Sequence, residues 1–137
     1  FCVERFHDAF RSLVEDTVDI LFGNEDELRL LYDTSSNEEA LRAAESVCDL
    51  VCLTKGADGS TVSRRGERVD VPAEPVQVVD TTGAGDLYAA GFLFGLTHGH
   101  DLATSARLGG MAAAEVISHV GARPETVLAR LAAPILG

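Results

Sequence analysis

Apolar residues in the first part of the chain alternate between helical spacing and short continuous runs. Over residues 3–13 they recur every third or fourth position, which predicts an amphipathic helix. Residues 18–22 form a short apolar run that predicts a buried strand. The acidic stretch that follows Asn24 predicts a helix that reaches about residue 32. Helix and strand patterns therefore follow one another from the start of the sequence.

The next stretch repeats this order and adds a hairpin. Ser36 and Glu39 form a capping-box pattern before a third helix, and residues 50–54 predict a second buried strand. Two half-exposed strands predict a hairpin over residues 61–71, and residues 76–79 predict one more strand. Helices that alternate with apolar strands are typical of a parallel sheet with both faces covered. The expected fold class is therefore α/β, with the hairpin as an antiparallel edge.

The composition changes after residue 80, where Gly and Ala become frequent and charges become rare. Residues 80–86 form a glycine loop. Residues 87–96 are apolar nearly all round and predict a buried helix, and residues 102–118 predict a second, Ala-rich helix. Pro124 is typical of a first helical turn, so it predicts the start of a short terminal helix.

The composition of the 137 residues is that of an ordinary globular protein, with 46% apolar and 24% charged residues. It excludes a disordered tail and a disulfide-stapled miniprotein, and no apolar run is long enough to cross a bilayer. The net charge is −11, and residues 1–49 hold thirteen Asp and Glu against four Arg. Such a surface disfavours nucleic acid and anionic membranes as partners. A phosphate ligand stays open, because backbone amides bind anions without Lys or Arg.

The cysteines and histidines form no zinc-binding pattern. No His lies at ligand spacing from Cys2, Cys48 or Cys52, so we expect buried apolar thiols in a reducing compartment, which predicts a cytoplasmic protein. His98 and His100 flank a glycine in a predicted turn between two helices, where a solvated loop accounts for them.

The glycine loop carries the strongest chemical signal in the sequence. A predicted strand leads into Asp80-Thr-Thr-Gly-Ala-Gly-Asp86, and the amides of this loop then open a helix, whose N-terminus attracts anions. A carboxylate at Asp86 can accept a proton from a hydroxyl while the loop holds a phosphoryl group. The alternative is a plain glycine turn in which Asp86 caps the helix. No Lys follows the glycines, which excludes a P-loop. Tyr88 stands where a dinucleotide fingerprint requires Gly or Ala.

Four segments, taken together and in order, resemble the ribokinase/PfkB family of ATP-dependent sugar and nucleoside kinases. Asp80–Asp86 and the helix after it resemble the C-terminal signature of this family, and Asn24–Glu27 resembles its Asn-x-x-Glu motif. Thr54–Gly59 resembles its nucleotide-binding strand and turn, and Ala112–Pro124 resembles the segment that closes the nucleotide pocket. The resemblance implies a ribokinase-like three-layer α/β/α sandwich, of which residues 1–137 would be the C-terminal, ATP-binding and catalytic part.

The resemblance also implies roles for individual residues in phosphoryl transfer. Asp86 would be the catalytic base that activates the acceptor hydroxyl. The anion hole around the γ-phosphoryl group would be formed by Gly83, Ala84 and Gly85. Asn24 and Glu27 would organise Mg²⁺ through its waters near the nucleotide, and this pair also matches a helix cap and capping box. Both roles are compatible.

Further positions would contact the nucleotide or a cation. Thr54, Gly56 and Gly59 would line the ribose and phosphates of ATP. Gly110 would lie beside the adenine, and tight packing between helices is the open alternative for this glycine. Asp80 and Thr82, with main-chain carbonyls nearby, would match the monovalent-cation site of many relatives, which suits K⁺.

The function implied is transfer of the γ-phosphoryl group of MgATP to a primary hydroxyl of a sugar or nucleoside. Adenosine or a ribose-like sugar is favoured, because residues 24–28 and 118–124 resemble bacterial adenosine-kinase-like members. The family's N-terminal substrate half and lid have no counterpart in these residues. We therefore expect this chain alone to be inactive. A separate expectation is that the full-length protein is a homodimer. A nucleotide-binding module without catalysis of its own is the alternative, and a purely structural α/β domain is a weaker one.

Overall fold

The computed structural model describes residues 2–137, and the chain divides into two compact units. The first unit comprises the residues up to Lys55 together with Thr61–Val69, and the second comprises Gly56–Ser60 together with Asp70–Gly137. No helix among the described residues is long and apolar enough to cross a membrane.

The first unit follows the predicted order of helices and strands, which is confirmed. Its elements are α1 (Cys2–Arg5), α2 (His7–Thr17), β1 (Ile20–Asn24), α3 (Glu25–Leu31), α4 (Asn37–Glu45), β2 (Leu50–Thr54), β3 (Ser60–Arg64) and β4 (Glu67–Val71). The first residue of β3, Ser60, and the last two residues of β4 belong to the second unit. The sheet order is β1-β2-β3-β4. Strands β1 and β2 are parallel, and Asn24 is paired with Thr54 at their carboxyl ends.

The first helix is interrupted at one residue, where the sequence predicted a continuous helix. Phe6 leaves the helical region with φ −125° and ψ 37°, and its ring is 53% exposed beneath the Arg5 guanidinium. The backbone ladder continues across the break, since the Phe6 amide donates to Cys2 and the Phe10 amide donates to Phe6. The break is therefore local.

The hairpin forms as predicted, but its first strand is buried. Arg65 and Gly66 join the strands with φ values of 50° and 87°, which is the geometry of a two-residue type I′ turn. Four of the five residues of β3 are buried, whereas β4 is mostly exposed. Half-exposure was therefore wrong for β3, because this strand lies inside the sheet between β2 and β4, whereas β4 lies at an edge.

The core of the first unit is formed by one face each of α2, α3 and α4, together with β2. Its buried side chains are Val14, Leu28, Leu31, Ala40, Leu41, Ala44, Cys48, Val51 and Leu53. Cys48 and Cys52 are buried thiols, as predicted, and burial raises the pKa of each. Cys2 is exposed, so the prediction of a buried thiol was wrong there, because α1 buries none of its residues.

An arginine on the edge strand ties β4 to helix α4. Both carboxylate oxygens of Glu45 lie 2.6 Å from the Arg68 guanidinium, and Glu38 lies 2.9 Å from it. The hydrogen bonds from Arg68 hold the carboxyl pKa of Glu45 and of Glu38 below the ordinary value of 4.5. The single positive charge of Arg68 thereby offsets part of the negative charge of the first unit.

The second unit consists of a short 3₁₀ turn and three helices. These are the turn Gly56–Asp58, α5 (Ala84–Thr97), α6 (Leu102–Ile117) and α7 (Leu128–Leu136). His98 and His100 lie in the connection between α5 and α6, and His98 is exposed, as expected of a loop. The first two helices match the prediction within three residues at every end.

Two predictions for the second unit were wrong. Residues 76–79 form no strand, because their backbone finds no ladder partner among the described residues, and only the Val79 amide is bonded, to Ile117. Pro124 does not begin a helix, since α7 starts at Leu128. The amides of Glu125 and Thr126 instead donate to the Glu115 side chain, which holds this stretch as a loop.

Helices α5 and α6 approach closely because glycines occupy their contact face. A Cβ atom on Gly91 would lie 2.5 Å from the carbonyl oxygen of Leu108, and one on Gly95 would lie 2.8 Å from Cα of Ser105. Both distances are shorter than a van der Waals contact. The two helices can therefore touch backbone to backbone only if these positions stay free of side chains.

Substitution of Gly91 by Ala should lower the free energy of unfolding by on the order of 1–3 kcal/mol, because the added methyl meets backbone that cannot move aside. Gly110→Ala is the matched control on α6, since a Cβ there meets no described atom within 4 Å. Its expected effect is neutral or stabilising by up to about 1 kcal/mol. Denaturant unfolding of both variants checks this. Equal midpoints for the two variants would contradict the close approach.

Substitution of Arg68 by Gln should lower the melting temperature at pH 7, with a loss that disappears in acid. The folded-state pKa of Glu38 and Glu45 lies below 4.5, so their stabilising contribution is full above that value and is lost as the pH falls below it. Thermal unfolding of wild type and variant between pH 7 and pH 3 measures this. A melting difference that is constant across this range argues against the ion pairs as its source.

Candidate functional site

The glycine loop enters helix α5 through a residue in the left-handed conformation. Gly83 is the N-cap of α5 with φ 83° and ψ 0°, and no side chain caps the helix. A Cβ atom on Gly83 would lie 2.9 Å from Cβ of Ala122. Conformation and space therefore both require glycine at this position.

Three backbone amides of the loop are available to a ligand. The Ala84 amide donates to the Thr81 carbonyl at 3.2 Å, and the Leu87 amide donates to Gly83 at 2.9 Å. The amides of Gly83, Gly85 and Asp86 have no acceptor anywhere in residues 2–137. Free amides at a helix N-terminus attract an anion, both as donors and through the helix dipole.

The Asp86 side chain lies in the first turn of α5, three residues after the N-cap. It is exposed, and its carboxylate makes no hydrogen bond to the described part of the chain. The alternative in which Asp86 caps the helix is therefore wrong, because the chain already enters helical conformation at Ala84. The carboxylate is therefore exposed and free to accept a hydrogen bond.

Asp80 fixes the start of the loop. One carboxylate oxygen accepts from the Thr82 amide at 2.9 Å and from the Thr82 hydroxyl at 2.6 Å. The other accepts from the Gly121 amide at 3.0 Å. The Thr82 hydroxyl and these two amides lower the pKa of Asp80 to about 2. The carboxylate is therefore anionic at neutral pH, and it joins the glycine loop to the segment around Gly121.

That segment, residues 118–127, lies against the glycine loop and is called the closing loop below. Its Ala122 contacts Gly83, and its conformation depends on Glu115 of α6, which accepts from the amides of Glu125 and Thr126 at 2.9 and 2.7 Å. Our sequence interpretation gave Glu115 no role. The signal available was a single acidic residue within an Ala-rich helix whose neighbours are apolar.

The turn that contains Gly56 and Gly59 also depends on glycine. Gly59 has φ 86°, and a Cβ atom there would lie 2.0 Å from the carbonyl oxygen of Val71. Gly56 has φ 56°, and the space around it is open. The buried hydroxyl of Tyr88 in α5 donates to the buried hydroxyl of Ser60 at 2.7 Å. This bond joins the end of the turn to the helix that carries Asp86.

Gly110 faces open space, in contrast to the glycine before it. A Cβ atom on Gly109 would lie 2.8 Å from the carbonyl oxygen of Tyr88, whereas one on Gly110 would meet no described atom within 4 Å. Tight helix packing therefore explains Gly109 and does not explain Gly110. The space beside Gly110 is open, and its predicted position next to the adenine ring stays a prediction.

The remaining predicted residues lie in the first unit, at the carboxyl ends of β1 and β2. The Asn24 side chain accepts from the Glu27 amide and the Glu27 carboxylate accepts from the Asn24 amide, each at 2.9 Å, which is a complete capping box. Thr54 is paired with Asn24 in the sheet, and its hydroxyl donates to Gly23 at 3.4 Å. Within residues 2–137 no group of three or more His, Cys, Asp or Glu side chains could hold a metal by itself.

Comparison with known proteins identifies relatives of this chain. It is 47% identical to the crystal structure of an adenosine kinase from Sinorhizobium meliloti, with a TM-score of 0.93 over 98% of this chain and 42% of that one. It is 27% identical to an Arabidopsis thaliana ribokinase complexed with ribose and ATP, with a TM-score of 0.78 over 92% of this chain and 43% of that one. An uncharacterized sugar kinase of Archaeoglobus fulgidus is 36% identical over 104 residues, which are 76% of this chain and 42% of that protein.

These similarities confirm the ribokinase-like α/β fold. The chain spans about two-fifths of the length of the relatives it matches. The sequence profile described as pfkB family carbohydrate kinase matches residues 3–127. With this match over most of its length, the chain belongs to the pfkB family of carbohydrate kinases.

Proposed function

We propose that this chain is the ATP-binding and catalytic part of a kinase that phosphorylates a primary hydroxyl of a sugar or nucleoside. The observation that carries the proposal is the glycine loop, where the free amides of Gly83, Gly85 and Asp86 open the same helix that presents the Asp86 carboxylate. Membership of the pfkB family supports the reaction class.

The glycine loop supplies positive partial charge without any Lys or Arg. Phosphoryl transfer depends mainly on positioning and on stabilising the charge of the transferring group, and fixed backbone donors do both at no cost of reorganisation. In our proposal Gly83, Ala84 and Gly85 form the anion hole. The Ala84 amide already donates to the Thr81 carbonyl, so the amides that would donate directly to the anion are those of Gly83, Gly85 and Asp86.

Asp86 is proposed as the base that accepts the proton of the acceptor hydroxyl. Its carboxylate is exposed and has no hydrogen-bond partner among the described residues, so nothing in this unit competes for it. It lies within one helical turn of the free amides, so the hydroxyl that it deprotonates would face the group held by those amides.

MgATP would supply the phosphoryl group, and several residues fit its parts. Asn24 and Glu27 are proposed to hold Mg²⁺ through water, because each keeps oxygen lone pairs that the capping box does not use, and a hydrated Mg²⁺ needs few protein ligands. Contacts to the nucleotide are proposed for Asn24, Thr54, Gly56, Gly59 and Gly110. K⁺ is proposed near Thr82 and the Asp80 carboxylate, which is anionic at neutral pH.

The proposed substrate is adenosine or a ribose-like sugar. Support comes from the 47% identity to a protein named adenosine kinase and from the resemblance of residues 24–28 and 118–124 to adenosine-kinase-like members. We further propose a cytoplasmic protein and a homodimer for its full-length form. A nucleotide-binding module without catalysis is the second candidate, favoured by the fact that the chain spans only 42% of that relative.

Substitution of Asp86 by Asn in the full-length protein should lower kcat about 10²–10⁴-fold, because the amide cannot accept the proton while the shape of the site is kept. Asp19→Asn is the matched control, since Asp19 is an exposed aspartate outside all four motifs, and its kcat should not change. Steady-state assays with adenosine and with ribose measure both variants. Turnover of the Asp86 variant within a few-fold of wild type would contradict the assignment of the base.

Calorimetric titration of the full-length protein with MgATP separates the two candidate functions when it is run beside a phosphorylation assay on the same protein. MgATP binding together with phosphorylation of adenosine or ribose supports the kinase. Binding without turnover on either acceptor supports the nucleotide-binding module.

A further inference from the structure

Glu115 is a buried carboxylate in a part of helix α6 where the sequence is otherwise apolar. Its side chain is 6% exposed, and both Ala112, one turn earlier in the helix, and the adjacent Val116 are buried as well. A buried charge without partners is costly, so the partners of this carboxylate are expected to be strongly held.

The partners of Glu115 all belong to the closing loop. One carboxylate oxygen accepts from the backbone amides of Glu125 and Thr126 at 2.9 and 2.7 Å, and the other lies 3.4 Å from Nε2 of His119. Burial opposes ionisation of Glu115, but these donors outweigh it and keep the carboxyl pKa below its ordinary value. A single side chain thus holds both ends of the loop.

Between those ends the closing loop meets the glycine loop at two points. The Gly121 amide donates to Asp80 at 3.0 Å, and Ala122 contacts Gly83. Gly83 is the N-cap of α5, and its positive φ turns the chain so that the loop amides are left without acceptors. A shift of the closing loop therefore acts on both the start of the glycine loop and the backbone that forms the anion hole.

We infer that Glu115 is a positioning residue, which acts through the closing loop to hold the glycine loop in its phosphate-binding shape. The inference rests on the proposed function and adds a residue to it that touches neither nucleotide nor substrate. The contacts predict that an uncharged acceptor suffices, because the two backbone amides need only an oxygen at the Oε1 position.

Two substitutions at Glu115 separate positioning from charge. Glu115→Gln keeps an oxygen for the amides of Glu125 and Thr126, whereas Glu115→Met keeps the length of the side chain and removes every acceptor. Thr126→Pro removes the Thr126 amide that donates to Glu115 and leaves the sequence of α6 unchanged. This second variant keeps the test usable if Glu115→Met does not fold. Glu125→Gln is the matched control, because it removes an exposed charge and keeps the backbone amide.

The test measures hydrogen exchange of residues 119–127 and MgATP affinity on the same proteins. Glu115→Met and Thr126→Pro should speed hydrogen exchange in the closing loop. They should also weaken MgATP binding on the order of ten- to hundred-fold, since small displacements of fixed donors lengthen their hydrogen bonds to the bound group. Glu115→Gln and Glu125→Gln should stay within about three-fold of wild type in affinity.

The outcomes distinguish this inference from the proposed function. Faster loop exchange with unchanged MgATP affinity overturns the positioning role, and unchanged exchange in both Glu115→Met and Thr126→Pro overturns the anchoring of the loop. Failure of the wild-type protein to bind MgATP overturns the proposed function, and with it any nucleotide role of Glu115. Equal loss of affinity in Glu115→Gln and Glu115→Met also overturns the inference, because charge alone would then matter.

Discussion

The left-handed conformation of Gly83 is the constraint on which the candidate site depends. With φ 83° at the N-cap, the chain turns into α5 without a side-chain cap and leaves the amides of Gly83, Gly85 and Asp86 unsatisfied. Unsatisfied donors at a helix end are normally capped by a side chain or by water. Here the helix end has no cap, so its free amides can bind an anion. The free carboxylate in the same turn can accept a proton.

Two carboxylates hold this geometry from outside. Asp80 binds the loop at Thr82 and the closing loop at Gly121, and Glu115 binds the closing loop at its two ends. Both are held ionised by hydrogen-bond donors. Because the donors are mostly backbone amides, each of the two carboxylates acts directly on main-chain geometry.

The sequence predicted the parts of the fold that periodicity and capping determine. Strands β1 and β2 and the helices α3 to α6 appear in the predicted order, because long apolar patterns and a capping box at Asn24 are local signals. The strand at residues 76–79 and a helix start at Pro124 were wrong, because each depends on a distant partner, a strand in one case and Glu115 in the other. Glu115 itself was missed for the same reason.

In the proposed reaction the free loop amides receive the γ-phosphoryl group, and amide NMR of the ¹⁵N-labelled protein tests this most directly. Titration with MgATP should move the resonances of Gly83, Gly85 and Asp86 more than titration with MgADP does, while the exposed Gly99 between α5 and α6 stays in place. Resonances that respond equally to MgATP and MgADP, or that stay in place while MgATP binds, would contradict the account.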